Sequence, residues 1–138
     1  MSKTPSEIPF DGPPGDDSTG PDGTYELYRR GMSLLERGDY DAATVPLGRA
    51  AAREPEKSSL REALGRAYFR ARRYPEAAAE FEAVVDRYPV NDFAHFCLGR
   101  SLALSGRSDR ARRHLAIAAN LRPDRRDYRV YRERATGS

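Results

Sequence analysis

The sequence predicts an all-α fold in which short helices stack in pairs. Four columns of residues coincide when the 138-residue chain is shifted by 34 positions, and one of these columns consists of helix-stopping prolines. The columns hold Gly31, Gly65 and Gly99; Ala43, Ala77 and Ala111; Leu47, Phe81 and Leu115; and Pro55, Pro89 and Pro123. A repeat of this length is typical of stacked helical arrays, in which each unit buries its apolar face against the next unit.

The first 23 residues differ in composition from the repeats. They contain five prolines and four glycines, and Lys3 faces five acidic residues, which gives a net charge of −4. Ile8 and Phe10 are nearly the only groups that could be buried, and such a segment cannot offset the entropy lost on ordering. We therefore expect a disordered acidic tail over residues 1–23 and one helical domain over residues 24–138.

Each repeat is expected to form a helix, a short turn and a second helix. The glycine lies inside the first helix, where it lets the second helix approach closely at a cost of about 1 kcal/mol relative to alanine. The column of prolines follows the second helices and ends them. The predicted helices span residues 24–37, 40–53, 59–71, 75–87, 92–105 and 109–121, and a seventh spans residues 125–134.

Local signals mark the ends and irregularities of these helices. The pattern Ser59-x-x-Glu62 predicts a capping box at the start of the third helix. Pro75 suits the first turn of the fourth helix, whereas Pro46 should kink the interior of the second. Other expected caps are Thr24, Asp39, Asp92, Ser108 and Asp124. The apolar stripe of the seventh helix, Tyr128, Tyr131 and Ala135, is typical of a terminal capping helix with one solvated face.

The repeat resembles the tetratricopeptide repeat (TPR) family over residues 24–125. The middle repeat carries the family pattern most fully, with Leu64, Gly65, Tyr68, Ala77, Phe81 and Pro89 in the signature positions. The first repeat departs from the pattern at Arg30, where leucine is usual. The resemblance implies three repeats in a right-handed superhelical array of antiparallel helix pairs, a TPR-like α-solenoid, completed by the seventh helix.

The residues that most often carry catalysis do not form a motif in this sequence. His95 and Cys97 are two positions apart on one predicted helix, so they point to different faces, and His114 lies on another helix. No serine or carboxylate stands in a motif around them, and together they fall short of the four ligands of a structural zinc site. We expect no enzyme activity, no cofactor and no metal.

The C-terminal third is strongly basic. Residues 100–134 contain eleven arginines and carry a net charge of +7 within a chain whose net charge is +3. Nucleic acid is therefore one conceivable partner, through Arg107, Arg110, Arg112, Arg113, Arg122, Arg125 and Arg126. No recognition motif accompanies these arginines and no aromatic residues alternate with them, which favours a solvated face instead.

Composition also bears on the compartment. No apolar run approaches the roughly 20 residues of a membrane helix, and the N-terminus has no apolar signal region. The single cysteine fits a reducing compartment. The 22 arginines against two lysines suggest a GC-rich genome. We expect a cytoplasmic bacterial protein without membrane insertion.

The resemblance implies a concave groove lined by the first helix of each repeat. The inward positions fall on Tyr25, Tyr28, Met32 and Leu35, on Glu62, Arg66 and Phe69, and on Phe93, Phe96 and Arg100, with Arg70 at the rim. An aromatic groove rimmed by arginines suits an acidic or amphipathic peptide. One TPR subclass binds acidic chaperone tails through a clamp of lysine, asparagine and arginine. This chain lacks the clamp, because the matching positions hold Tyr28, Met32, Ala63, Phe93 and Cys97.

These observations favour a protein-interaction adaptor or scaffold that binds a partner segment in the groove. A self-associating structural module, in which the groove holds another copy, is the first alternative. A nucleic-acid-binding accessory protein is the second. The apolar island of the acidic tail, residues 7–10, could also occupy the groove, although a tail free in solvent is the simpler expectation.

Overall fold

The computed structural model describes residues 23–137, and every regular element in this range is an α-helix. The helices are α1 (Thr24–Glu36), α2 (Tyr40–Arg53), α3 (Ser58–Arg70), α4 (Tyr74–Arg87), α5 (Asp92–Leu104), α6 (Ser108–Leu121) and α7 (Arg126–Gly137). The predicted all-α fold of seven helices is confirmed over this range. The predicted tail, except Gly23, lies outside the described residues. None of the described helices is long and apolar enough to cross a bilayer.

Each helix packs against its neighbours in the sequence, and the glycine column explains how closely. A Cβ atom at Gly65 of α3 would lie 2.8 Å from the ring of Phe81 in α4, and one at Gly99 of α5 would lie 2.6 Å from Leu115 in α6. Gly31 faces Leu47 in the same way. The glycine column and the large apolar column are therefore the two sides of one contact, which recurs in every helix pair.

The turn inside each repeat has a common backbone geometry. Gly38, Arg72 and Gly106 all adopt left-handed conformations, with φ values of 84°, 63° and 83°. In the middle turn the Arg73 N–H donates to the Tyr68 carbonyl at 2.8 Å, and the other two turns close by equivalent bonds. These bonds satisfy carbonyls that the helix end would otherwise leave unpaired.

The predicted capping box at the third helix is wrong. Residue Lys57, in an extended conformation, precedes the first helical residue Ser58, so Ser59 already lies in the first turn. Side-chain capping occurs instead at α5, where Asn91 rather than the predicted Asp92 accepts a bond of 3.0 Å from the Ala94 N–H. A one-residue shift of the helix start moves the cap position, because only the residue before the helix has the required backbone geometry.

The last helix covers the end of the array, as its apolar stripe predicts. Tyr128 is fully buried against Ala118 and Ala119 of α6, and its ring stacks on Phe96 of α5 at 4.6 Å between centroids. Its hydroxyl donates to Asp92 at 2.7 Å. A buried tyrosine usually needs such a partner for its hydroxyl. Helix α7 is therefore anchored to both helices of the third repeat.

Candidate functional site

A cavity of about 410 Å³ opens where α1, α3 and α5 come together, and we refer to it as the central cavity. It is lined by Met32, Leu35, Glu36, Tyr40, Arg66, Phe69, Arg70, Phe81, Phe96, Cys97 and Arg100. Most of these residues come from α1, α3 and α5, at spacings of three and four that keep them on one helical face. The cavity thus combines apolar and aromatic walls with three arginines and one glutamate.

The aromatic walls are held from behind by other rings. Phe69 meets Tyr74 edge to face, with 5.2 Å between centroids. Phe96 stacks on Tyr128 and meets Tyr131 edge to face at 5.5 Å. Each contact fixes a ring that also borders the cavity, and such pairs contribute about 0.5–1.5 kcal/mol beyond their area burial. The walls are therefore preorganised by the fold.

Two of the three arginines are positioned by aromatic faces. The Arg100 guanidinium lies 5.2 Å from the centroid of Phe69 and 4.4 Å from that of Tyr131. Arg70 lies 4.6 Å from the centroid of Tyr40 and donates to its hydroxyl. A stacked guanidinium keeps the donors on its edges available to a carboxylate. Arg66 is exposed and forms no ion pair with another described residue.

The cavity contains the one cysteine of the chain in an unreactive state. Cys97 is largely buried beneath the cavity surface, and this burial, together with the negative charge of Glu62, raises the pKa of its thiol to about 12. A thiol with this pKa is protonated near neutral pH and is a poor nucleophile. Cys97 therefore contributes packing to the wall of the cavity.

The structure brings together six of the ten site residues that the sequence suggested. They are Met32, Arg66, Phe69, Arg70, Phe96 and Arg100. Tyr25 and Tyr28 line a second cavity of about 250 Å³ between α1 and α3. Glu62 and Phe93 line neither cavity: Glu62 accepts a bond of 2.8 Å from the Asn91 amide, and Phe93 is 39% exposed at the start of α5.

Sequence reasoning missed several residues of the central cavity. Tyr40 begins α2 and Phe81 belongs to α4, whereas the repeat pattern assigned only first helices to the groove. Tyr131 of α7 was assigned to capping alone, yet it also supports Arg100. Cys97 was assigned only to a position of the absent clamp, although it stands three positions before Arg100 on the same helix. No signal in the sequence links Tyr40 to its partner Arg70.

The two histidines, which the sequence left without a role, form a buried pair away from the cavity. The Nδ1 atoms of His95 and His114 lie 3.0 Å apart, and Nε2 of His95 lies 2.8 Å from the Pro89 carbonyl. Because Nε2 must donate to that carbonyl, Nδ1 of neutral His95 accepts from Nδ1–H of His114. Burial and the neighbouring His95 lower the pKa of His114 to about 4. The His114 ring is therefore neutral near pH 7, and the pair packs in the interior.

The candidate metal ligands in the described part of the chain are dispersed. No group of three or more histidine, cysteine, aspartate or glutamate side chains within residues 23–137 is arranged to hold an ion. Of the four ring nitrogens of the histidine pair, both of His95 and Nδ1 of His114 already have protein partners.

The fold and the central cavity define a helical repeat protein. Its cavity lies on the face formed by the first helix of each repeat. The sequence matches the family model of the tetratricopeptide repeat over residues 28–92, so this part of the chain is a tetratricopeptide repeat region. The three glycine-centred helix pairs and α7 correspond to three repeats and a capping helix. A search of curated protein sequences gives no significant match.

Solved structures of TPR domains share this fold. The first TPR domain of Spaghetti (RPAP3), bound to the HSP90 peptide SRMEEVD, superposes with a TM-score of 0.77 at 17% identity, covering 83% of this chain and 90% of that one. MamA of Desulfovibrio magneticus RS-1 gives 0.78 at 21% identity, covering 83% and 64%. MamA of MSR-1 gives 0.74 at 27% identity, covering 81% and 64%. The present chain thus spans just under two thirds of these MamA chains.

Proposed function

We propose that this protein is a non-enzymatic adaptor that binds an extended segment of a partner protein in the central cavity. The observation that carries the proposal is that apolar side chains and arginines line the same opening. The apolar side chains are Met32, Leu35, Phe69 and Phe96, and the arginines are Arg66, Arg70 and Arg100. An apolar cavity with a few converging charged groups is the usual form of a ligand site. The partner segment it suits has a large apolar side chain next to carboxylates.

The size of the cavity supports a segment rather than a folded partner. A volume of about 410 Å³ accommodates one or two large side chains. Burying each of them contributes about 1.5–3 kcal/mol. The stacked arginines then orient the segment, because Arg100 and Arg70 present fixed donors to its carboxylates. Apolar burial provides the affinity in this proposal, and charge provides the selection.

The comparison with RPAP3 supports the mode of binding. That domain has the same fold and is bound to a peptide with consecutive glutamates, SRMEEVD. In the present chain, the aromatic rings and stacked arginines of the central cavity would contact the acidic residues of the partner segment. The proposal therefore assigns peptide binding to the face formed by the first helices of the repeats. The sequence of the peptide is to be found by experiment.

The proposed binding surface extends beyond the central cavity toward the N-terminus of α1. Tyr25 and Tyr28 line the second cavity beside Leu60 and Lys57, and Phe93 and Glu62 border the same ends of α5 and α3. A longer segment would contact these side chains as well. Tyr25, whose ring is 63% exposed, gives the cleanest test. Tyr25→Ala should weaken the binding of a long peptide, leave the binding of a short peptide unchanged and leave the free energy of unfolding unchanged.

Catalysis is not part of the proposal, for a chemical reason. The thiol of Cys97 is held protonated, and each histidine has its Nδ1 occupied by the other. A nucleophile needs an adjacent base to activate it. The described residues offer no such pair at the central cavity, whose titratable groups are arginines, Glu36, Tyr40 and Cys97.

Nucleic-acid binding is likewise not proposed, because many arginines of the basic third already have acidic neighbours. The ion pairs join Arg110 with Glu82, Arg112 with Asp109, Arg122 with Asp124 and Arg125 with Asp127. Each carboxylate offsets the field that would attract a phosphate. This arrangement agrees with a solvated basic face.

The proposed function can be tested with a random peptide library displayed on phage and selected against the full-length protein. We expect selected peptides to combine a large apolar residue with aspartate or glutamate. Synthetic copies should bind Arg66→Glu about tenfold or more weakly than wild type, and the difference should shrink at high salt because exposed charges are screened. Arg49→Glu on the exposed face of α2 is the matched control.

The alternatives predict different results in the same assay. Peptides that bind wild type, Arg66→Glu and Met32→Ala equally well would place the binding surface elsewhere and overturn the proposal. Because Arg66 is exposed, its replacement should leave the helical circular dichroism spectrum and the urea midpoint unchanged. A loss of binding can then be read as a loss of contact.

A further inference from the structure

We propose that residues 7–11 of the same chain occupy the central cavity and compete with the partner, with Phe10 against the apolar wall and the flanking carboxylates near the arginines. This inference rests on the proposed function, because it assigns an internal competitor to the same site. It makes the acidic N-terminal segment a regulator of access to the cavity.

The sequence of this segment has the chemistry that the cavity suits. Residues 7–11 read Glu-Ile-Pro-Phe-Asp, so two large apolar side chains lie between two carboxylates. Residues 1–22 contain only one other large apolar side chain, that of Met1. The whole segment carries five acidic residues against Lys3, whereas the cavity lining carries three arginines against Glu36. Apolar content and charge therefore both favour residues 7–11 as the segment that occupies the cavity.

The chain is long enough to make this contact within one molecule. The segment joins the fold at Gly23, next to the N-terminus of α1, and Met32 of the cavity lies about 13 Å further along that helix. Twelve residues separate Phe10 from Gly23, and they can span up to roughly 40 Å. The reach exceeds the distance along the helix about threefold, so the linker needs no special conformation.

Tethering makes a weak contact sufficient. A short flexible linker gives an effective concentration on the order of millimolar, so an interaction with a millimolar dissociation constant would fill the cavity about half of the time. A partner must then displace the segment, and its apparent affinity falls in proportion to the fraction of open cavities. The segment would thus exclude weak ligands and admit stronger ones.

Met32 provides a direct reporter for the test. The chain contains two methionines, and the Met32 side chain lines the cavity, so methyl-labelled methionine gives one signal from inside the site. In the full-length protein, Phe10→Ala should shift the Met32 methyl signal and remove its nuclear Overhauser contacts to the Phe10 ring, which are distinct from any contacts to the cavity residues Phe69, Phe81 and Phe96. Phe10→Ala should also bind the phage-selected peptide about twofold more tightly than wild type, as half occupancy of the cavity by the segment implies.

Two variants with equal loss of charge separate docking from general electrostatics. Glu7→Gln combined with Asp11→Asn should shift the Met32 signal, because these carboxylates flank Phe10. Asp16→Asn combined with Asp17→Asn removes the same charge at a greater distance and should leave the signal in place. Equal Met32 signals in wild type and Phe10→Ala would overturn the proposal, as would equal effects of the two charge variants.

The remaining outcomes are also decisive. Met32–Phe10 contacts that appear only between differently labelled chains, with mass rising with concentration, would overturn docking within one chain and show a self-associating array. If a selected peptide shifts the Met32 signal but Phe10→Ala does not, the adaptor function stands and the internal competitor falls. If neither moves the signal, both proposals fall.

Discussion

The guanidinium of Arg100 lies 4.4 Å from the ring centroid of Tyr131, so the last helix forms part of the support for the central cavity. Tyr131 also contacts Phe96 and lies under the guanidinium of Arg134. Helix α7 thus covers the apolar end of the array and, through one ring, fixes a charged group of the site. Stability of the array and geometry of the cavity are coupled through this residue.

The coupling between Arg100 and Tyr131 can be measured by a double-mutant cycle. Arg100→Ala and Tyr131→Ala should each lower the free energy of unfolding in urea, and their interaction energy should be about 0.5–1 kcal/mol. The control is the pair Arg100→Ala and Tyr25→Ala, because Tyr25 lines a different cavity. The effects of these two substitutions on the free energy of unfolding should be additive. Additive effects for Arg100 and Tyr131 would mean that their contact contributes nothing.

Acid should destabilise the protein through the buried histidine pair. Burial, the neighbouring His95, Arg113 and Arg110 together lower the pKa of His114 from its ordinary 6.5 to about 4, whereas Glu82 opposes them. The unfolded chain therefore binds the proton more readily than the folded one. The stability contributed by the neutral ring is fully present above about pH 6.5 and is lost as the pH falls toward 4.

The variant His114→Asn isolates this effect from acid effects of carboxylates. Asparagine keeps a donor near the place of Nδ1 but does not titrate. Between neutral pH and about pH 4.5, wild type should lose about 1–3 kcal/mol more unfolding free energy than the variant, measured by urea titration. Parallel pH profiles for the two proteins would show that His114 titrates normally in the folded state.

The glycine column should not tolerate alanine where it meets the second helix. A methyl group at Gly65 would lie 2.8 Å from the Phe81 ring, which is only 1% exposed. Gly65→Ala should destabilise the fold by about 1–3 kcal/mol, because overpacking outweighs the gain of about 1 kcal/mol in helix propensity.

Gly48 provides the matched control for that substitution. It lies in the interior of α2 and has no atom within 4 Å of the position of an added Cβ. Gly48→Ala should therefore raise the free energy of unfolding through helix propensity alone, by up to about 1 kcal/mol. If both substitutions changed stability in the same direction, the close contact between Gly65 and Phe81 would not be the controlling factor.

The middle turn should be improved by glycine. Arg72 has a φ of 63°, while the equivalent positions of the other repeats are Gly38 and Gly106. Arg72→Gly should relieve strain and raise the free energy of unfolding by up to about 1 kcal/mol. Gly106→Ala, the opposite change at an open position, should lower it by a similar amount. Calorimetry of the two variants checks both signs, and a destabilised Arg72→Gly would indicate that the arginine side chain stabilises the turn.

The sequence by itself determined the helical repeat. The 34-residue period, the glycine column and the proline column are properties of positions along the chain. The six helices of the three repeats agree with their predicted bounds to within one residue at each end. The capping residues were predicted less well, because Ser59 and Asp92 look like caps, whereas the residues that precede α3 and α5 are Lys57 and Asn91. Which residue takes the cap geometry depends on the path of the incoming loop.

Only the tertiary structure decided which side chains meet. Periodicity places Phe96 and Arg100 on one face of α5 but does not reveal that Phe96 also stacks on Tyr128 of α7. The pairs Arg70–Tyr40 and His95–His114 join residues 30 and 19 positions apart. Side-chain contacts between helices depend on how the helices cross and which rotamers fit, because close-packed interiors admit few arrangements. A pattern along one chain records the face of each helix, whereas the distance between two faces is set only when the helices pack.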